Sequence, residues 1–313
     1  MTSSRRNVLV KGTVGVSTLA GIGWFANRRL NNDVATSDLA PPPERQEENW
    51  TLRLDEQWDG NELDRSRWAI SFIDNSNAIP DDDAAVSEDH VVVDGNQCRL
   101  QVESQGIGPD GCYQGVLNSS TYGLDWHPPE GIPVNPVKGG GGQYMEARMQ
   151  MPGRTGILPG FWAMPANTNW PPEIDVVELF QQGDTPESER QTFQTDAHWT
   201  QSTEPGDQDT HAHDTHSTET EIDLTETFNT YGCAWFEDRI EWYFNGDHIN
   251  TRDGPSELFA TLNNGAALPF GLIFSNHVNR FGNANLNEEW IEEMVIDWVR
   301  VWDLAEESGD SEG

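Results

Sequence analysis

The stretch EIDVVE at residues 173–178 places three carboxylates within six residues of a segment that otherwise has the composition of a buried strand. Side chains alternate along a strand with a period of two, so Glu173 and Asp175 share one face while Glu178 points to the other. A β-bulge corrects this offset, because Val176 and Val177 then oppose a single residue of the neighbouring strand. The spacing therefore predicts a bulged strand that carries a row of three acids on one face.

A row of acids on a strand face needs a physical reason, because like charges repel one another. An open cleft provides one, since neighbouring carboxyls shift each other's pKa and leave one group ionised and another protonated. That pair of states is what acid and base chemistry requires. The alternative is a solvated surface run, but the apolar residues between these acids favour the cleft.

Segments of β character recur along the chain and are broken by Gly, Asn, Asp and Pro, whereas no long helical period is present. Many short strands separated by turns are typical of an antiparallel sandwich or jelly roll rather than a parallel α/β fold. We predict an all-β, antiparallel β-sandwich of the concanavalin-like jelly-roll type, with a concave substrate groove on one curved sheet. The clearest strand segments are VVVDGNQCRLQVE (91–103), QYMEARMQM (143–151), IEWYFNGDHI (240–249) and MVIDWVRVWD (294–303).

The charge of the chain is extreme, with 53 acidic and 18 basic residues among 313 and a formal net charge of −35. Its lysines are Lys11 and Lys138, so nucleic acid and anionic membrane surfaces are poor partners. The 13 tryptophans and 12 phenylalanines indicate a packed domain rather than a disordered acidic chain. We interpret the acids as adaptation to high salt, where counterions screen self-repulsion. We predict a monomer with no protein partner.

The chain divides into four parts, namely a signal at 1–34, a proline-rich and acidic linker at 35–48, the β domain at 49–304 and an acidic tail at 305–313. Arg5 and Arg6, followed by an apolar run to Ala26, resemble a twin-arginine export signal. Cleavage near residues 34–37 and retention as an uncleaved membrane anchor remain open. Both alternatives predict an extracellular domain that is exported in the folded state.

Cys98, Cys112 and Cys233 allow at most one internal disulfide and do not have a metal-ligand spacing. A hairpin between residues 98–103 and 112–118, with its turn near Gly108, does not place Cys98 opposite Cys112. We therefore interpret the three residues as isolated buried thiols.

Two tryptophans precede the row of acids, at positions from which an indole ring can stack on a sugar ring. Trp162 lies in the segment GFWAMP, and Trp170 is followed by two prolines and stands three residues before Glu173. Packing in the core is the alternative for either residue. The proline-flanked Trp170 is better suited to the rim of a cleft.

The segment GQYMEARMQMPGRTGILPGFWAMPANTNWPPEIDVVELF at residues 142–180 resembles glycoside hydrolase family 16, the group of laminarinases, lichenases, agarases and carrageenases. The signature of this family is an E-[ILV]-D-x-x-E run, and the subgroup with a β-bulge has the additional residue seen here as the pair of valines. The resemblance extends upstream to LDEQWDGNELDRSRW (54–68) and downstream to EEMVIDWVRVWD (292–303). It therefore covers residues 50–303.

The resemblance implies retaining, endo-acting hydrolysis of a β-linked polysaccharide on a curved jelly roll. It implies Glu173 as the nucleophile, Glu178 as the general acid/base and Asp175 as a helper acid between them. Retaining chemistry needs two carboxyls about 5 to 5.5 Å apart, of which one attacks the anomeric carbon and the other protonates the leaving oxygen. We expect Glu173 to be ionised, Glu178 to be protonated and Asp175 to modulate this coupled titration.

The resemblance also implies substrate contacts in the groove. Glu146 and Arg148 match groove positions near the reacting sugar, although a cross-strand salt bridge is an alternative for this pair. His198 matches a histidine near the acid/base, for which a structural role is the alternative, and Asn276 matches a groove asparagine. Trp162 and Trp170 match stacking positions. One departure is that residues 277–280 read HVNR where a smaller, glycine-rich stretch is expected, which puts the sugar contacts there in doubt.

Two metal sites enter as hypotheses, and no cofactor is required for the implied reaction. Asp297 on the last strand resembles one ligand of a structural Ca²⁺ ion that members of this family carry on the convex face. Residues 201–221 read as a polar loop with His211, His213 and His216, a spacing that zinc or another divalent ion could use. We interpret these histidines as incidental.

The most probable substrate implied by the resemblance is a β-1,3-linked glucan of the laminarin type. A galactanase for agar-like or sulfated polysaccharides uses the same catalytic strand, but the scarcity of basic residues argues against a polyanionic substrate. A cell-surface transglycosylase remains open, because water and sugar attack the same intermediate. A noncatalytic glucan-binding module is the alternative from another class, and the presence of all three acids argues against it.

Overall fold

Two antiparallel sheets form the fold, and the strand with the acids lies in the middle of the smaller one. The structure is a computed structural model that describes residue 41 and residues 50–73, 79, 81–119, 137–182 and 186–304. Apart from Pro41, the predicted signal, the linker and the acidic tail lie outside these residues, so the domain boundaries at 34, 48 and 304 stay predictions.

About half of the described residues belong to strands. The strands are β1 (Trp50–Glu56), β2 (Ala85–Val86), β3 (Val91–Val93), β4 (Cys98–Gln105), β5 (Cys112–Gln114), β6 (Leu117–Asn118), β7 (Gln143–Gln150), β8 (Ile157–Pro165), β9 (Glu173–Glu178), β10 (Thr192–Thr200), β11 (His211–Glu219), β12 (Asn229–Trp235), β13 (Ile240–Phe244), β14 (Asp247–Arg252), β15 (Phe270–Val278) and β16 (Glu289–Leu304). The α-helices of the described residues are α1 (Pro186–Glu189) and α2 (Ser256–Leu262), and single 3₁₀ turns lie at Glu88–His90, Pro109–Gly111 and Gln208–Thr210.

The larger sheet has ten strands, with β14, β13, β12, β7, β16, β4, β5 and β2 in spatial order, while β1 pairs with β16 and β3 with β4. The smaller sheet has six strands in the order β11, β10, β9, β8, β15 and β6. Neighbouring strands are antiparallel, except that β2 and β5 are parallel. The predicted all-β, antiparallel sandwich is confirmed, and the four segments chosen from the sequence overlap β3 and β4, β7, β13 and β14, and β16.

The core lies between the two sheets and is built from alternate residues of their strands. Met145, Ala147 and Met149 on β7 point into it from the larger sheet, and none of them is exposed. Phe161 on β8 and Phe274 on β15 point into it from the smaller sheet, where their rings stack at a centroid distance of 4.5 Å. The intervening residues of β8, β9 and β15 therefore face away from the core.

Residues 211–219 form a regular edge strand, so the prediction of a polar loop at 201–221 was wrong for this part. Nine residues of β11 pair in register with β10, from Thr192 opposite Glu219 to Thr200 opposite His211. This edge strand is made almost entirely of polar residues, so it has no apolar alternation, and the polar composition concealed it.

The three cysteines are free and buried, as predicted. On the hairpin of β4 and β5, Cys112 lies opposite Ser104 rather than Cys98. Burial raises the pKa of all three thiols, that of Cys112 to about 12. Within the described residues, no helix has the length and apolar character needed to cross a membrane.

Candidate active site

The predicted bulge is present in β9. On β8, Phe161 lies opposite Val177 and the next residue, Trp162, lies opposite Asp175, so Val176 is the additional residue. The pairing of β9 with β10 shifts at the same place. Both valines pack into the core and are almost fully buried. The extra residue therefore has a packing role as well as a geometric one.

The bulge brings the three acids to one face of β9. Ile174 and Val177 point into the core, where neither is exposed, and the acids point to the opposite face. The Glu173 side chain is 15% exposed, whereas that of Asp175 is 3% exposed. The two glutamates are partly accessible at the ends of the row, and the aspartate between them is enclosed.

The residues beside Glu178 leave room above it. Gly160 on β8 lies opposite Glu178, and Gln194 is its neighbour on β10. A Cβ atom at Gly160 would lie 3.3 Å from Cδ1 of Trp162, closer than ordinary van der Waals contact. Glycine at this position therefore keeps the space beside the acid open and lets the Trp162 ring lie against the strand.

His198 lies at the other end of the row, opposite Glu173 on the neighbouring strand. Its Nε2 atom is 3.2 Å from Oδ2 of Asp175 and 3.6 Å from Oε1 of Glu173. Its Nδ1 atom forms a 2.9 Å hydrogen bond with Nε2 of His211. The register of β10 places His198 at the Glu173 end of the row, while its charge also acts on Glu178, so its place near the acid/base stays a prediction.

Burial is the main cause of a strong upward shift in the pKa of all three acids. The neighbouring carboxylates raise the pKa values further, Asp175 acting on both glutamates and Asp196 acting on Asp175. Positive charge on His198 and Arg280 lowers the pKa of the two glutamates and partly opposes this shift. The row therefore holds protons at a pH at which exposed carboxyls are ionised.

Arg280 was not singled out as a functional residue from the sequence. It follows β15 in the HVNR stretch that departs from the family pattern, and it is exposed to solvent. Its charge acts on Glu173 and Glu178. The departure from the family pattern could have indicated a role for Arg280, because a basic residue stands where a glycine-rich stretch was expected.

Trp162 lies on the groove face of β8, held by a chain of polar side chains. Its Nε1 atom donates a 3.1 Å hydrogen bond to the Ser275 hydroxyl, which lies 3.1 Å from Nε2 of His277. Nδ1 of His277 is 2.9 Å from Oδ2 of Asp82. Ser275 and His277 are thus groove-side residues of β15 that sequence reasoning did not identify.

Trp170 lies beside the histidines at the Glu173 end of the row. Its ring centroid is 4.9 Å from that of His211 and 6.0 Å from that of His198. The residue is partly exposed, as expected for the rim of a cleft. Its stacking on a sugar ring stays a prediction, as does that of Trp162.

Asn276 does not line the groove, so this prediction was wrong. The residue is fully buried on the core face of β15, and its Nδ2 atom donates to the carbonyl of Leu100 in the opposite sheet. Alternation along β15 explains this, because Phe274 points into the core and Ser275 points to the groove. The sequence of β15 conceals the alternation because every residue of this strand is buried.

Glu146 and Arg148 also lie away from the groove, and this prediction was wrong. They share a strand face as predicted, but β7 belongs to the ten-stranded sheet, and their neighbours Met145 and Ala147 occupy the core face. Glu146 accepts a hydrogen bond from Tyr144, and burial raises the pKa of Glu146 to about 7. The alternative of a cross-strand salt bridge holds for Arg148, whose partner lies on the neighbouring strand β16.

The partner of Arg148 is Asp297, the predicted calcium ligand. Their side chains form a salt bridge of 2.7 Å, and the Arg148 guanidinium also lies over the ring of Phe228. The carboxylate of Asp297 thus already has a cationic neighbour, which reduces the charge available to a dication. The calcium site stays an untested prediction.

Known proteins resemble this chain in sequence and in fold. Endo-1,3-1,4-beta-glycanase ExsH of Rhizobium meliloti is 30% identical over 163 residues, which cover 51% of this chain and 30% of that protein. Endo-1,3-1,4-beta-glycanase EglC of the same organism is 36% identical over 115 residues, or 37% of this chain and 22% of that protein. The chain therefore spans less than a third of the length of these relatives.

Among solved structures, the endo-beta-1,3-glucanase from Pyrococcus furiosus superposes with a TM-score of 0.61 at 20% identity, over 83% of this chain and 97% of that one. At this identity the likeness supports the fold. The model of the family described as "Glycosyl hydrolases family 16" matches residues 141–299, about half of the chain, including β9 and its acids. The chain belongs to glycosyl hydrolases family 16.

Proposed function

We propose that this chain is a retaining, endo-acting glycoside hydrolase that cleaves β-1,3-linked glucan, with Glu173 as the nucleophile and Glu178 as the acid/base. The bulge in β9 is the observation that carries this proposal. It brings two partly exposed glutamates to one sheet face with an enclosed aspartate between them. Family membership supports the reaction class.

The proposed reaction has two steps that use the same two carboxyls. Glu173 attacks the anomeric carbon while Glu178 gives a proton to the leaving oxygen, and a covalent glycosyl intermediate forms. Glu178 then removes a proton from a water molecule that displaces Glu173. Burial raises the pKa of Glu178, which suits a general acid, but it raises the pKa of Glu173 as well, so the assignment of the two roles rests on the family resemblance rather than on these shifts.

The register spaces the three acids evenly along β9. Gln194, Asp196 and His198 on β10 lie opposite Glu178, Asp175 and Glu173, so successive acids are two partner residues apart. That spacing corresponds to about 6.6 Å between the Cα atoms of one acid and the next. The two glutamate side chains must therefore lean over Asp175 to reach the separation of about 5 to 5.5 Å that retention requires. Asp175 is suited to bind and orient the nucleophile.

The sequence relatives are named endo-1,3-1,4-beta-glycanases, which specifies the linkage, and the structural neighbour from Pyrococcus furiosus is named an endo-beta-1,3-glucanase, which favours a glucan. Trp162 and Trp170 supply apolar ring faces beside the acids, to which a neutral sugar can bind. The net charge of −35 disfavours a polyanionic chain. The names of the relatives also support mixed-linkage β-1,3-1,4-glucan as a second candidate substrate.

Substitution of each glutamate tests the proposal and separates the two roles. We expect E173Q and E178Q to lose nearly all hydrolysis of laminarin in a high-salt buffer, with folding monitored by circular dichroism. Azide offered to E173A should give the α-glycosyl azide by direct displacement. Azide offered to E178A together with an aryl β-glycoside, whose leaving group needs no proton, should give the β-azide, because azide attacks the covalent intermediate. Normal hydrolysis by either glutamine variant would reject the proposal.

Product analysis distinguishes the substrates. The unmodified protein should cleave laminarin at bonds within the polymer and release oligosaccharides. The viscosity of the laminarin solution should therefore fall before much reducing sugar appears. Lichenan serves to test the mixed-linkage candidate, and agarose and carrageenan serve as galactan controls. Cleavage of the galactans alone would contradict the glucan assignment, and products longer than the substrate would reveal transglycosylation.

A further inference from the structure

Three histidines form a stack at the Glu173 end of the row of acids. The ring of His198 lies 5.1 Å from that of His211 and 5.2 Å from that of His213, at interplanar angles of 14° and 11°. Register explains the stack, because His213 lies opposite His198 and His211 is two residues away on the same face of β11. The edge strand thus delivers two imidazoles to the site.

Asp196 lies beside this stack with one unpartnered oxygen. Its Oδ2 atom accepts a hydrogen bond from Thr215 and lies 3.1 Å from Nδ1 of His213. Its Oδ1 atom is buried, has no hydrogen-bond partner and lies 3.9 Å from Nε2 of His198. Only 4% of Asp196 is exposed. A buried carboxylate oxygen is normally bound by a donor or a cation, so this one is aimed at a position suited to a positive charge.

The orientation of His198 supports the same position. Its Nδ1 atom is engaged by His211, which fixes the ring and directs Nε2 towards the carboxylates of Asp175 and Asp196. Metal-binding histidines commonly use one ring nitrogen for the ion and the other for such a supporting hydrogen bond. When Nδ1 donates to His211, the lone pair on Nε2 faces carboxylate oxygens, and a cation between them removes that repulsion.

We propose that a zinc ion binds between β10 and β11 on Asp196, His198 and His213, and that the bound ion stops the proposed hydrolysis. One ligand atom from each side chain lies within 4.8 Å of the others. Zinc binds nitrogen and oxygen at about 2.0 to 2.2 Å, so small side-chain rotations are needed to bring these atoms together. His213, whose side chain is 53% exposed, has room to move. Two imidazoles and one carboxylate are a typical zinc ligand set.

Inhibition follows from the position of the ion, and this part rests on the proposed function. Zinc would occupy Nε2 of His198, the atom that lies 3.6 Å from Oε1 of Glu173. A dication there attracts the Glu173 carboxylate and competes with its attack on the anomeric carbon.

Titration calorimetry of the full chain with zinc chloride tests the site directly. The protein is first freed of metal with a chelator and dialysed into molar potassium chloride. We expect one strong site, its loss in H213Q and its retention in H216Q. His216 is the matched control, because it lies on the same strand opposite Thr195 and faces away from the stack. H211Q should bind about 10- to 100-fold more weakly, as expected for loss of a supporting hydrogen bond.

Magnesium at equal concentration controls for the acidic surface, because this ion prefers oxygen ligands. Absence of saturable zinc binding, or equal binding by H213Q, would overturn the proposal. Glu173, Asp175 and His198 form a second set of suitable ligand atoms. Binding that survives H213Q and is lost in D175N would assign the ion to that set, against the ligands proposed here.

Hydrolysis provides the second readout. Zinc should inhibit the unmodified protein and H216Q, whereas the rate of H213Q in zinc should equal the metal-free rate of the same variant. If the metal-free protein does not hydrolyse any glucan, the proposed function fails, while calorimetry still decides the metal site. Zinc bound at the site without inhibition would overturn the regulatory half of the proposal.

Discussion

The indole Nε1 of Trp162 donates a 3.1 Å hydrogen bond to the hydroxyl of Ser275 on the adjacent strand. Ser275 is in turn hydrogen-bonded to His277, and His277 to Asp82, whose side chain the solvent does not reach. These hydrogen bonds fix the Trp162 side chain on the groove face. When Nδ1 of His277 donates to Asp82, Nε2 of His277 accepts from Ser275. The polar side-chain atoms of Trp162, Ser275 and His277 then all have a hydrogen-bond partner. The orientation of the Trp162 ring therefore depends on residues that need not touch a substrate.

Ser275→Ala should destabilise the fold by about 1 to 3 kcal/mol, because it leaves the Trp162 indole and the His277 imidazole without their shared partner. Chemical denaturation measures this change. Ser217→Ala, at an exposed position of β11, is the control and should have little effect. A cost no larger than that of the control would show that the hydrogen-bonded chain does not stabilise the protein.

Glu178→Gln should stabilise the fold at neutral pH while it removes the proposed acid. In the unfolded chain this carboxyl titrates near pH 4.3, whereas burial raises its pKa in the folded protein. The folded state therefore binds the proton more tightly, and stability falls as pH rises from about 4 through the raised pKa. We expect the melting temperature of the variant to rise by about 2 °C or more at pH 7.

The gain in Glu178→Gln should disappear near pH 4, where the native residue is protonated in both states. Glu226→Gln controls for the loss of one negative charge from a protein of net charge −35, because Glu226 is exposed. Thermal melting of both variants between pH 4 and pH 8 gives the comparison. Equal gains in the two variants would attribute the effect to net charge alone.

Stability should rise steeply with salt. A net charge of −35 produces repulsion that counterions screen, and the Debye length falls from about 30 Å at 0.01 M salt to about 3 Å at 1 M. Melting temperatures in potassium chloride from dilute buffer to molar concentrations measure this effect. Sucrose at matched osmolality controls for solute exclusion, which stabilises proteins without screening charge. Indifference to salt would contradict the interpretation of the acidic surface as salt adaptation.

The three cysteines should resist thiol reagents in the native state. All are buried, and burial raises their pKa values, so the thiolate that reacts is scarce. We expect no reaction with a disulfide reagent at pH 8 in high salt, and three equivalents after addition of denaturant. Fast native reaction would place a thiol at the surface, and fewer than three thiols in denaturant would indicate a disulfide.

The row of acids could be predicted from the sequence because its evidence is local. Three carboxylates at offsets of two and three residues, separated by valines, have few ways to fit a buried strand, and the bulge is one of them. The cysteines were predictable for a similar reason, since the turn of the hairpin sets which residue of β4 faces Cys112. In both cases the decisive spacing lies within one strand or one hairpin.

The errors concern relations between distant strands. The prediction that Glu146 and Arg148 share one face of a strand was correct. The sequence of that strand, β7, does not indicate that it belongs to the sheet opposite the acids. Asn276 lies on a strand that is buried on both faces, so hydrophobic alternation could not indicate which face it occupies. The histidines at 211 and 213 are two residues apart, which is the period of a strand. The polar residues around them made this segment resemble a loop.

The bulge also constrains which changes in the length of β9 can preserve the proposed activity during evolution. Deletion of Val176 or Val177 removes the bulge and leaves the last glutamate four positions after Glu173, so a regular strand still carries the three acids on one face. Replacement of Glu178 by glutamine leaves the register intact but removes the proposed acid. A descendant without the bulge can therefore keep the proposed activity, whereas one that only binds glucan is reached by substitution. Hydrolysis of laminarin by a Val176 deletion, compared with that by Glu178→Gln, measures this difference.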